Sequence, residues 1–169
     1  MTNDKLLPDD LVAKAREVIE ANRKAGRKIA VAESCTGGLV CAALTEIPGS
    51  SKVLDVGFVT YSNEAKTTEL KVSEEVVETF GAVSIATAWA MAQGALDASK
   101  ADIAVAITGI AGPDGGTPSK PVGTVVFARA ERQPGPDEVT ADQKQFDPSE
   151  GRSGIRRQAA LCALELLMP

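Results

Sequence analysis

Residues 29–38 read Ile-Ala-Val-Ala-Glu-Ser-Cys-Thr-Gly-Gly, and Leu39 to Ile47 follow before Pro48-Gly49. Ile29 to Glu33 is a short apolar run, which suits a strand buried on both faces. Gly37 to Ile47 then predicts a helix that stops at the Pro-Gly pair. Val53 to Tyr61 predicts a second strand, so the stretch has the strand–helix–strand form of an α/β unit. Upstream, Asp9 and Asp10 open a helix with Leu11, Ala15, Val18, Ile19 and Asn22 along one side and Gly26 as its stop. Residues 1–8 are polar and expected to fray.

Downstream, helical stretches are expected around Glu64–Leu70 and Ser73–Phe80. Ile85, Trp89, Ala92 and Leu96 recur at helical spacing in a further helix ending near Lys100. Asp102 to Ile107 predicts a third strand, Val122 to Ala130 a fourth and Val139 to Phe146 a fifth. Arg132 to Glu138 holds Pro134-Gly135-Pro136 and predicts a hairpin loop between the last two. Ile155, Ala159, Cys162 and Leu166 mark a closing helix. The expected fold is a single-domain, three-layer α/β/α arrangement over 1–169 with a mixed, mostly parallel central sheet.

Right-handed crossovers make the first three strands parallel. Their carboxyl ends then share one rim, the edge at which open α/β sheets bind ligands. Just beyond those ends lie Ser34, the segment Tyr61 to Lys66, and Thr108. The Thr108–Pro121 segment has no room for a crossover helix, so the fourth strand should return antiparallel.

Composition narrows the chemistry. The 169 residues include no histidine, so a Ser-His-Asp triad, a Cys-His pair and a His-ligated zinc site are all excluded. Cys35, Cys41 and Cys162 lack metal spacing, and no metal site is expected. Lys+Arg number 18 against 23 Asp+Glu, a balance unsuited to a chain that binds bare nucleic acid. No apolar run reaches 18 residues and no basic-then-apolar leader is present, so a cytoplasmic protein without a membrane partner is expected.

Four constellations carry candidate chemistry. In the first, Ser34 sits on the turn after a strand, and Thr36, Gly37 and Gly38 offer backbone N–H groups at a helix start. That suits a nucleophile beside an oxyanion hole, but Ser and Thr are equally good helix caps. Cys35 is a rival nucleophile, or simply a small core residue. In the second, Tyr61, the only tyrosine, lies five residues before Lys66. Without histidine, a lysine whose pKa burial lowers is the natural base for a serine, with the phenol as relay. Otherwise Lys66 is a solvated helix residue.

The third constellation is Thr108-Gly109-Ile110-Ala111-Gly112-Pro113-Asp114-Gly115-Gly116. Its glycines let backbone approach a ligand, though it is neither a Walker loop nor a Rossmann fingerprint. The fourth is Arg152, Arg156 and Arg157 at the start of the last helix, where cations oppose the helix dipole unless an anion joins them. Solvated arginines are the plainer reading.

Taken together, the chain resembles the CinA C-terminal domain family of nicotinamide-nucleotide amidohydrolases. The matching stretches are A-E-S-C-T-G-G-L at 32–39, I-P-G-S-S at 47–51, G-F-V-T-Y-S-N-E-A-K at 57–66, T-G-I-A-G-P-D-G-G-T at 108–117, K-P-V-G-T-V at 120–125 and R-S-G-I-R at 152–156. The resemblance implies hydrolysis of nicotinamide mononucleotide to nicotinic acid mononucleotide and ammonia, without a cofactor. It implies Ser34 as nucleophile, Lys66 as its base and Tyr61 assisting. Thr36, Gly37, Gly38, Thr108, Gly109 and Gly112 would line the substrate site, and Arg152 and Arg156 would hold the phosphate. The family often has Gly-Asp before the first arginine, where this chain has Glu150-Gly151.

The expected partner is thus a small pyridine nucleotide, in a homo-oligomer that binds no nucleic acid. Some relatives carry an extra N-terminal domain, for which 169 residues leave no room. Two other readings stand beside this one. One is a thiol amidohydrolase built on Cys35 with Glu33 and a lysine. The other is a non-catalytic nucleotide-binding module tied to competence or DNA damage.

Overall fold

A computed structural model describes residues 4–133 and 140–169. Five strands form one sheet in the order β2-β1-β3-β4-β5: β1 Ile29–Glu33, β2 Leu54–Val59, β3 Ile103–Gly109, β4 Thr124–Glu131 and β5 Thr140–Gln145. β1 pairs in parallel with both β2 and β3, whereas β4 runs antiparallel to β3 and to β5. Four strands therefore share one direction and β4 opposes them. The antiparallel return follows from the short β3–β4 connection, which holds no crossover helix.

Six α-helices cover the two faces: α1 Asp9–Ala25, α2 Leu39–Thr45, α3 Asn63–Leu70, α4 Glu74–Phe80, α5 Ile85–Asp97 and α6 Gly151–Leu166. The period-two alternation of the central strands sorts residues by size. Ile29, Val31, Ile103, Val105 and Ile107 pack with α1, α2 and α6, while Ala30, Ala32, Ala104 and Ala106 face α5. The alanine face lets α5 lie close to the sheet, and α5 meets α3 with no room to spare. A Cβ on Gly94 would collide with the Leu70 carbonyl oxygen. α1 buries the anticipated stripe together with Val12, and Gly26 ends it in the left-handed conformation. The Asn22 Nδ2 group donates to Val18 O and Leu167 O, which ties α1 to the end of α6.

Several expected boundaries shift. The helix expected from Gly37 begins at Leu39, because Gly37 and Gly38 both have positive φ and form a turn instead. β4 starts at Thr124 rather than Val122, since Gly123 turns with φ of 96°. Residues 134–139, including most of the predicted hairpin loop and Val139, lie outside the described residues, as do residues 1–3 of the expected frayed start. Leu6 is exposed, yet its N–H donates to Glu46.

Candidate active site

The parallel ladder carries three segments to one rim. Ser34 N–H donates to Ile107 O at 2.9 Å, and Thr60 N–H donates to Glu33 O at 2.9 Å. These two bonds extend the sheet one residue past β1 and β2, so Ser34 lies between the β2–α3 loop and the end of β3. The anticipated meeting of Ser34, Tyr61–Lys66 and Thr108 is what the chain adopts. All four of Ser34, Tyr61, Lys66 and Thr108 line one cavity of about 270 Å³.

Lys66 is the decisive side chain. It sits on α3, capped by Ser62, whose hydroxyl accepts from Ala65 N–H. That cap turns Lys66 inward, where it is 1% exposed, among the largest fully buried side chains. Its Nζ lies 3.0 Å from Ser34 Oγ, 2.7 Å from Thr60 O and 3.2 Å from Tyr61 O. Among the described residues no carboxylate forms an ion pair with it. Burial without a counter-charge pushes its pKa down to about 8. The geometry accommodates the neutral amine. Carbonyl oxygens only accept, so Thr60 O and Tyr61 O occupy two N–H groups, and the third position faces Ser34 Oγ. Lys66 Nζ donates to Ser34 Oγ when protonated; in the neutral amine that position is a lone pair, to which the serine hydroxyl can donate.

Cys35 lines the same cavity, with its side chain buried. Burial, with the Glu33 carboxylate adding to it, pushes the Cys35 thiol up to about 11. A thiol so placed holds its proton at neutral pH.

The expectation of substrate-binding N–H groups from Thr36, Gly37 and Gly38 requires correction. None of the three lines the cavity. Thr36 is buried, with its hydroxyl lacking a hydrogen-bond partner among the described residues. The Gly37 N–H donates to Ser34 O in the turn. The anion at the start of α2 is the chain's own: the fully buried Glu33 carboxylate accepts Val40 N–H at 2.9 Å and Cys41 N–H at 3.1 Å. Glu33 therefore anchors the turn that carries Ser34. Its capping role was missed because the capping residue sits at the end of the preceding strand rather than beside the helix.

The glycine loop borders the cavity. Gly109 and Gly112 line the cavity, and a Cβ on Gly109 would press on Val125 and Thr124 O. The Thr108 hydroxyl donates to Ala82 O at 2.8 Å, which draws the α4–α5 connection to the cavity wall. Ala82 and Val83 thus join the lining, as does Asp114. The alanine and valine gave no chemical signal in the sequence.

The two expected phosphate arginines part company. Arg152 lines the cavity, donating from Nη1 to Gly112 O at 2.7 Å and from Nη2 to Tyr61 Oη at 3.1 Å. Arg156 does not reach the cavity: its Nε donates to Cys35 O at 3.0 Å and its Nη2 to Thr36 O at 3.1 Å. Arg157 pairs on the surface with Asp10. Tyr61 also differs from expectation. Its side chain is 61% exposed, and its hydroxyl bonds Arg152 rather than Lys66 or Ser34. Only the Tyr61 backbone carbonyl touches the lysine.

The family model for the CinA C-terminal domain matches residues 12–169. The chain belongs to this family. The nicotinamide-nucleotide amidohydrolase PncC of Pseudomonas putida is 42% identical over 160 residues, which cover 95% of this chain and 96% of that protein. The protein of the same name from Enterobacter agglomerans is 48% identical, with 88% of each chain covered. A CinA-like protein of Mycolicibacterium paratuberculosis is 50% identical over 94% of this chain. The aligned part is 35% of that relative, so this chain spans about a third of its longer kin. Among solved structures, the competence/damage inducible protein CihA from Agrobacterium tumefaciens superimposes with a TM-score of 0.91 at 48% identity, covering 96% of each chain. Among the described residues no helix is long and apolar enough to cross a membrane, and no cluster of three His, Cys, Asp or Glu residues could hold a metal.

Proposed function

We propose that this CinA-family chain hydrolyses the carboxamide of nicotinamide mononucleotide to nicotinic acid mononucleotide and ammonia, with Ser34 as nucleophile and Lys66 as general base. The observation that carries this reading is the buried Lys66 amine 3.0 Å from Ser34 Oγ, with no carboxylate to keep it charged. A solvated or ion-paired lysine could not serve, because its amine would stay protonated at neutral pH. Two relatives aligned over nearly their full lengths bear the name of this amidohydrolase, which supports the choice of substrate.

The steps follow from the contacts. Ser34 Oγ bonds to the amide carbon while its proton passes to Lys66 Nζ. The oxyanion is left to the N–H groups of Ala111 and Gly112, since those of Gly37 and Ile110 are already engaged. The carbon–nitrogen bond then breaks as Lys66 returns the proton to departing ammonia. Water attacks the resulting ester, Lys66 takes its proton, and Ser34 leaves with that proton restored. Glu33 and the Thr60 and Tyr61 carbonyls hold the pair in register throughout. Tyr61 steadies Arg152 at the rim and carries no proton in this scheme.

Arg152 is the residue placed to take the phosphate. Two of its five N–H groups are engaged by Gly112 O and Tyr61 Oη, and the rest can meet an anion at the cavity. Charge-assisted hydrogen bonds contribute ~1.5–3 kcal/mol each. Arg152→Ala should therefore raise KM for nicotinamide mononucleotide by about 10- to 100-fold. KM for the riboside should hardly move. Steady-state kinetics on both substrates checks this.

The direct test of the whole reading is ammonia release by the purified protein, with nicotinamide mononucleotide compared to nicotinamide riboside and free nicotinamide. Release from the mononucleotide, with an equivalent of nicotinic acid mononucleotide, is the expected result. Tight binding of the mononucleotide without ammonia would replace the enzyme with a nucleotide-binding module.

A further inference from the structure

We infer that Arg156 is a positioning residue for the nucleophile rather than a ligand for the substrate. It and Arg152 stand four residues apart on α6, and so on one face of the helix. They reach different walls of the site. Arg152 holds the glycine loop through Gly112 O, and Arg156 holds the nucleophile loop through Cys35 O and Thr36 O. The first turns of α6 thus bracket the cavity, and rigid spacing along the helix sets the distance between the two loops.

Local chemistry explains why an arginine is needed. The turn from Ser34 to Gly38 joins a strand to a helix of only seven residues, with two consecutive glycines at positive φ. Such a segment has little intrinsic stiffness. It is pinned at two levels. The Glu33 carboxylate takes the N–H groups of Val40 and Cys41 at its far end. The Arg156 guanidinium takes two successive carbonyls next to the nucleophile, in a planar fork that a lysine cannot reproduce. Planarity of the trans peptide then turns the Thr36 N–H away from the guanidinium and fixes the Cys35–Thr36 plane, which begins one residue after Ser34. Gly37 suits this turn through its φ of 59° and not for want of space, since a Cβ there would sit 3.4 Å from Arg156 Nη2.

Because Arg156 lies outside the cavity, its loss should alter the attack geometry and not the grip on substrate. The inference rests on the amidohydrolase reading for its kinetic arm, and a second arm is independent of it. In the kinetic arm, Arg156→Ala should lower kcat on the order of 10²-fold, the cost of a small misplacement of reacting groups. KM for nicotinamide mononucleotide should stay within about twofold of wild type. Arg156→Lys should recover only part of the rate, because one ammonium cannot hold both carbonyls in the guanidinium geometry. Arg157→Ala, which removes only the surface pair with Asp10, should match wild type.

In the second arm, amide hydrogen exchange at residues 34–38 should speed up in Arg156→Ala and not in Arg157→Ala, with the far-UV spectrum and melting of each variant confirming a folded chain. A rise in KM for the phosphorylated substrate alone, with kcat kept, would make Arg156 a phosphate ligand and overturn the inference. Unchanged kinetics together with unchanged exchange would overturn it as well. If wild type releases no ammonia, the amidohydrolase reading fails, and the exchange arm alone decides the role of Arg156. Should Arg156→Ala not fold, Arg156→Lys carries both measurements.

Discussion

Ser34→Ala is expected to lower kcat by about 10⁴-fold or more while leaving affinity for nicotinamide mononucleotide nearly unchanged. The asymmetry follows from what the hydroxyl touches. Among the described residues its only side-chain partner is Lys66 Nζ, so its removal deletes the attacking atom and nothing that grips the nucleotide. Arg152 and the glycine loop keep their contacts, since they are bonded to Gly112 and Tyr61 and not to Ser34. Fold and stability should also persist, because the Ser34 backbone N–H still donates to Ile107 O and the Gly37 N–H still donates to the Ser34 carbonyl. The checks are ammonia release under saturating substrate and direct calorimetric binding. Ser34→Cys is a useful companion: it retains a nucleophilic atom but with altered length and acidity, and should recover a small part of the rate. A Ser34→Ala protein that turns over at the wild-type rate would exclude serine catalysis. If Cys35→Ala proved inactive in its place, the thiol reading would return.

The rim of this site was legible in the sequence because it depends on chain topology. Three apolar runs with intervening helices imply parallel strands, and parallel strands put Ser34, Tyr61–Lys66 and Thr108 at one edge without any knowledge of side-chain packing. The missing histidine sharpened this, since it left Lys66 as the natural base. What sequence reasoning could not supply was how neighbouring polar groups pair off. Arg152 and Arg156 look equivalent at four-residue spacing, yet the backbone carbonyls nearest each one differ, and only the folded loop decides which is free to meet a ligand. Tyr61 was assigned a proton because of its proximity in sequence to Lys66, but the strand-to-helix turn sends its ring toward Arg152 and leaves only its carbonyl near the amine. The N–H groups at the start of α2 invited an external anion, while the chain provides Glu33 from the preceding strand. In each case a group of the chain itself takes up a polar atom that spacing along the sequence leaves open.

Lys66 yields the second large effect, and it has a pH signature that a merely structural lysine would lack. Lys66→Ala should cut kcat by about 10²- to 10⁴-fold, the usual range for a general base. Lys66→Arg should do no better, because the guanidinium remains protonated. In wild type only the neutral amine can accept the Ser34 proton, so kcat/KM should climb with pH and level off above an apparent pKa near 8. About one site in ten is in the active form at pH 7.

The same ionisation links to stability with a definite sign. The folded-state pKa of about 8 lies below the ordinary lysine value of 10.5. Below pH 8 both folded and unfolded chains carry the proton, and the folded chain bears the full cost of a buried ammonium. Between about 8 and 10.5 the folded chain releases that proton while the unfolded chain retains it, so stability contributed by this residue increases with pH. Lys66→Met has no such group. Melting temperatures measured from pH 7 to 10 should therefore show wild type gaining on Lys66→Met as pH rises above about 8, the pH at which the rate of the wild-type enzyme turns toward its plateau. A difference between the two proteins that stays flat across that range, together with a rate profile lacking a limb near pH 8, would mean that the amine beside Ser34 is charged throughout, and the serine would need another base.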